Sequence, residues 1–87
     1  MLNPYCFIVK NGVYEDHLNH LTYFLIFASD EQKAIDFCNE YVKEEVEADK
    51  YVNDDGQTVN HWWLHYDIVR QELKEFHDKA VNVQVLD

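Results

Sequence analysis

The spacing of apolar positions changes period several times along the chain, and each change marks an element. Residues 5–9, YCFIV, form an unbroken β-branched and aromatic run between Pro4 and the turn pair Asn11-Gly12, which predicts a strand. A second apolar run, LTYFLIFA at 21–28, follows a polar stretch. Together the two runs predict a hairpin whose connection passes through Glu15, Asp16 and His17.

The period then becomes helical. Ile35, Cys38, Val42 and Val46 recur at steps of three and four, which predicts a helix over residues 30–47 with one stripe facing the core. Ser29 is the expected N-cap, with Gln32 completing a capping box and Asp30 and Glu31 complementing the helix dipole. Asp54-Asp55-Gly56 predicts a turn between short extended pieces at 50–52 and 57–59.

Residues 60–80 carry two periods at once. As a strand, Trp62, Leu64, Tyr66 and Ile68 share one side, but the alternation ends at Ile68. As a helix, Trp62, Tyr66, Val69, Leu73, Phe76 and Ala80 follow steps of 4, 3, 4, 3, 4, and Asn60 stands where an N-cap would. The longer match predicts a second helix, with strand-then-helix as the alternative. The terminal VNVQVLD alternates Val81, Val83 and Val85 with Asn82 and Gln84, a half-buried strand. The resulting order predicts an α+β fold: a small single domain spanning 1–87, with two helices packed on one face of a mainly antiparallel sheet of three to five strands.

Composition supports one folded core. Eighty-seven residues suffice for one domain, and 47% hydrophobic residues favour folding despite the charge. Cys6 and Cys38 lie in apolar runs, as expected of buried thiols in a reducing compartment. The N-terminus lacks the basic start of a signal peptide, and the run YFLIFA is far shorter than the roughly 18 residues of a membrane span. A cytoplasmic location is expected.

Charge changes the picture most. Seventeen acids against seven bases give a formal charge of −10. That disfavours direct contact with nucleic-acid phosphates or anionic membranes, both of which require a cationic face. It favours a basic partner. Between Asp30 and Asp55, ten acids against three lysines leave −7 of the total.

Candidate chemistry is sparse. His61 and His65 have the i, i+4 spacing of zinc-binding helices, but Trp62 stands where HExxH carries its glutamate, so the general base of that motif is missing. His17 and His20, beside Asp16, form a second pair. Ser29 is the only serine, and glycines at 12 and 56 alone supply no phosphate-binding loop. No enzymatic activity, cofactor or metal is expected.

An interface is better supplied. Asp36, Glu40, Glu44 and Glu47 fall opposite the apolar stripe of the first helix, and Glu45, Asp54 and Asp55 add to that charge. The acids advance about 6 Å per i to i+4 step, a sparser array than duplex phosphates, so a single stripe is a poor nucleic-acid mimic. Trp63, Leu64 and Ile68 lie off the second helix's apolar stripe and form an expected contact patch. The expected function is that of a small acidic binding or inhibitor protein that blocks a basic partner surface, for instance that of a nucleic-acid-binding enzyme. In size and charge alone, with no shared motif, the chain resembles viral accessory inhibitors such as anti-CRISPR and anti-restriction proteins, and toxin-neutralising immunity proteins. Two alternatives are a metal- or Cys/His-dependent enzyme using His61, His65, His17 and His20, and a homo-oligomeric structural subunit, including a homodimer.

Overall fold

A computed structural model describes residues 1–12, 20–60 and 65–86, with Asn60 and His65 described by their backbone alone. Within them the order is β1 (Asn3–Gly12), β2 (His20–Ala28), α1 (Glu31–Ala48), β3 (Lys50–Val52), β4 (Thr58–Asn60), β5 (His65–Gln71), a short 3-10 turn (Leu73–Phe76) and β6 (Val81–Val85). The main sheet has the strand order β5-β1-β2-β6, and β3 and β4 form a separate two-stranded sheet.

The first hairpin is the centre of the sheet. Cys6 lies opposite Leu25, Phe7 opposite Phe24 and Val9 opposite Thr22. Because side chains alternate across a strand, Phe7 and Val9 share a face with Phe24, Ile26 and Ala28, and α1 packs on that face. From the helix, Ala34, Cys38 and Val42 close the core at a spacing of four, flanked by Ile35, Phe37, Tyr41 and Val46. Phe24 meets Phe37 and Tyr41 edge-on, with ring centroids 5.5 and 4.9 Å apart.

Helix α1 begins one residue later than its sequence suggests. Asp30, not Ser29, is the N-cap, and its carboxylate accepts a hydrogen bond from the Lys33 backbone N–H at 2.9 Å. A carboxylate at this position also meets the positive end of the helix dipole, an advantage a serine hydroxyl lacks. Asp30→Ala is therefore expected to cost about 1 kcal/mol. Ser29→Ala should change stability by less than about 0.5 kcal/mol. Parallel urea titrations of the two variants check the difference.

The second predicted helix is not formed. Residues 65–71 are strand β5, paired antiparallel with β1 from Gly12↔His65 to Cys6↔Gln71. Asn60 ends β4 rather than capping a helix. Of the described residues of the proposed helical stripe, Tyr66 and Leu73 are exposed, and Phe76 alone is buried, in the 3-10 turn. The 4-3-4-3-4 steps thus joined residues from a strand, a turn and a linker. Backbone pairing to β1 outweighs a local periodicity that has no second helical contact to satisfy.

The sheet is mixed rather than mainly antiparallel, because β6 runs parallel to β2, with Tyr23 opposite Val81 and Phe27 opposite Val85. The fold is a small α+β domain with one α-helix, among the described residues, on one face of a mixed four-stranded sheet. The linker after β5 carries Phe76 against Tyr23 on the opposite face, ring centroids 5.4 Å apart. No helix of the described residues is long and apolar enough to cross a membrane.

Candidate protein-binding surface

Helix α1 separates its residues by face. Asp36, Glu40, Glu44 and Glu47 are all exposed, on the side away from Ala34, Cys38 and Val42. The eleven residue-to-residue steps from Asp36 to Glu47 cover about 16 Å of helix. Glu45 is half-buried at the flank of the stripe, beside Val42 and Val46, and so contributes less to the outward face.

Local contacts order this surface without neutralising it. Gln32 Nε2 donates to Asp36 Oδ1 at 2.9 Å, one helical turn away. Lys50 Nζ lies 2.9 Å from Glu47 Oε2, and Lys43 Nζ 4.0 Å from Glu40 Oε1. These are exposed pairs, each worth well under about 1 kcal/mol, so their main effect is to orient the carboxylates. At the start of the helix Glu31 pairs with Arg70 of β5, tying the helix N-terminus to the edge of the sheet.

The acidic turn that follows is held by its own backbone. Asn53 Oδ1 accepts from the Asp55 and Gln57 backbone N–H groups at 3.0 and 2.9 Å, and the Asn53 N–H donates to the Gln57 carbonyl at 2.9 Å. Gly56 adopts φ 79°, a left-handed conformation that glycine takes without steric cost. Asp54 and Asp55 are thereby displayed, exposed, at the tip of the β3–β4 hairpin.

Of the apolar half of the expected interface, Ile68 alone falls among the described residues. Ile68 lies opposite Val9 and packs against the core beneath α1, so it belongs to the interior rather than to a contact patch. The reason is parity: in a strand Ile68 takes the same face as Phe7 and Val9, whereas a helix would have turned it outward. Trp63 and Leu64 lie outside the described residues, as do His17 and His61 and the side chain of His65. His20 is exposed at the start of β2. Among the described residues no cluster of three or more His, Cys, Asp or Glu is arranged to hold a metal ion.

Both cysteines are free and buried. Burial pushes the Cys38 thiol up to about 11. Burial also raises Cys6, and the nearby Arg70 guanidinium offsets part of that rise. Cys6 borders a cleft of about 630 Å³ between Pro4 on β1 and Gln71, Glu72, Leu73 and Glu75 after β5. A thiol that burial holds protonated is a poor nucleophile, and the Arg70 guanidinium that also lines the cleft offsets only part of that effect.

The sequence reading passed over the far edge of the sheet. Val83 and Val85 of β6 are 56% and 65% exposed and face away from α1, while Gln84 and Leu86 lie on the helix side. The available signal was compositional: VNVQV holds no charged residue in a chain of net −10. Compared with protein-family models, curated proteins and solved structures, the chain has no significant match to any of them.

Proposed function

We propose that this chain is a small, non-enzymatic acidic binding protein that covers a basic surface on another protein, of the kind a nucleic-acid-binding enzyme presents. The observation that carries the reading is the exposed carboxylate row Asp36, Glu40, Glu44 and Glu47, continued in sequence by Asp54 and Asp55 on an ordered turn. A predominantly acidic face on ordered elements attracts an oppositely charged surface over several ångströms and fixes its register on contact. Blocking is the simplest mechanism available to such a surface: the bound chain occupies the site where the partner's anionic ligand would sit.

Glu40→Lys, Glu44→Lys and Glu47→Lys together test the reading. All three residues are exposed, so the triple variant should keep the wild-type circular dichroism spectrum. Proteins retained by the immobilised wild-type chain from the cells that produce it would be identified and purified, and their association rates measured at low and high salt. The expected result is an association about 10- to 100-fold slower for the variant at low salt, with the difference shrinking as salt rises. Equal rates at low salt would remove the acidic face from the mechanism.

A further inference from the structure

Strand β6 ends the sheet, and no strand of the described residues pairs with its outer side. Edge strands present unpaired backbone N–H and C=O groups, and soluble proteins usually protect them with charge, proline or a bulge. The opposite edge, β5, carries exposed Asp67 and Arg70. By contrast β6, VNVQV, has no charge, no proline and no glycine, and it pairs with β2 without a break in register.

The strand also reads the same way in both directions. Valine occupies 81, 83 and 85, and a carboxamide occupies 82 and 84. We propose that β6 is a self-association edge, at which two copies of this chain pair antiparallel about a two-fold axis through Val83 and join their sheets into one of eight strands. In that register Val83 faces the partner's Val83, Val81 faces the partner's Val85, and Asn82 faces the partner's Gln84. Apolar side chains meet on one face and amides on the other, so no position opposes unlike chemistry. Asn82 Nδ2 already donates to the Tyr23 carbonyl at 3.2 Å, and its amide oxygen stays available to the facing glutamine.

Charge selects a second copy as the occupant. A chain of −10 repels its own kind wherever its acids meet, and the dense acidic segment lies on α1 and the β3–β4 hairpin, not on β6. Pairing through β6, the uncharged edge of the four-stranded sheet, lets two copies meet without opposing those carboxylates. An isologous contact also closes on itself, and so ends growth at the dimer. The interface is small. Five residues span about 17 Å, and a strand of that length buries less than the roughly 800 Å² per partner of a stable complex. The dimer is accordingly one that dissociates on dilution, and salt strengthens it by screening the residual repulsion. That salt dependence is opposite in sign to the one expected for the acidic face, so the two readings succeed or fail separately.

Sedimentation equilibrium across a roughly hundredfold concentration range tests the proposal on wild type, Val83→Lys and Val83→Glu. The expected result is a reversible wild-type dimer favoured by salt, with association at least about tenfold weaker in each variant. An equimolar mixture of the two variants should recover it, because only a two-fold through residue 83 sets lysine against glutamate. Amide exchange of residues 81–85 in unmodified protein gives a second readout, slowing as concentration rises. A wild-type chain that stays monomeric, a dimer indifferent to both variants, or exchange that ignores concentration would each overturn the proposal.

Discussion

Phe24→Ala is expected to remove about 3–5 kcal/mol of folding stability, seen as a fall in the urea midpoint with little change in slope. Phe24 is 4% exposed at the centre of β2, opposite Phe7 and beneath α1. Its ring edges meet Phe37 and Tyr41, so truncation removes two aromatic contacts from α1 as well as the buried ring itself. Little nearby can collapse into the gap, since Ile26 and Val9 are already fully buried neighbours in the same layer. A domain of this size has only about 5–15 kcal/mol in total, so the variant should lie near the edge of folding. Val85→Ala, on the exposed face of β6, should change stability by less than about 1 kcal/mol in the same assay. A small effect at Phe24 would mean that α1 does not rest on this ring.

Raising the pH from 8 to 10.5 is expected to cost wild type about 2 kcal/mol through Cys38 alone. The thiol has no exposed surface, and burial lifts it from the ordinary 9.0 to about 11. The unfolded chain therefore ionises its thiol first as pH rises, which favours unfolding. This contribution is complete below pH 9 and is lost progressively as pH passes from about 9 to about 11. The informative quantity is the difference between wild type and Cys38→Ala. The variant should be less stable at pH 8 because of the small cavity, and the gap should narrow or invert by pH 10.5. A gap that is constant with pH would show that Cys38 does not ionise differently in the two states.

Much of this architecture follows from patterns that act over short distances. The apolar runs at 5–9 and 21–28 form the central hairpin, and the three- and four-residue steps from Ile35 to Val46 form α1. The Asp54-Asp55-Gly56 turn lies where its residue types place it, and residues 81–85 form a strand, although Val83 and Val85 are exposed on it. Asp36, Glu40, Glu44 and Glu47 are outward for the same reason: on a helix, position relative to the buried stripe decides exposure. Here local chemistry and final structure agree.

Residues 65–76 are different. Tyr66, Val69, Leu73 and Phe76 satisfy a helical template, yet β5 forms because β1 offers it a ladder of backbone partners more than fifty residues away in sequence. An edge strand buries little on its flank, so its own alternation is weak: Tyr66 and Arg70 share the face of Ile68 but lie exposed at the rim. Nothing within the segment itself distinguishes the two outcomes. The same non-local decision moved Ile68 from a supposed contact patch into the core and turned Val83 and Val85 outward on the parallel edge.

What the sequence determined by itself was therefore the acidic helix face, the elements with strong local periodicity and the net charge. What only the tertiary structure decided was which strands lie at the edges and which of their faces α1 covers. Both depend on pairings between distant segments, whose free energy is shared by two stretches of chain and is carried by neither alone.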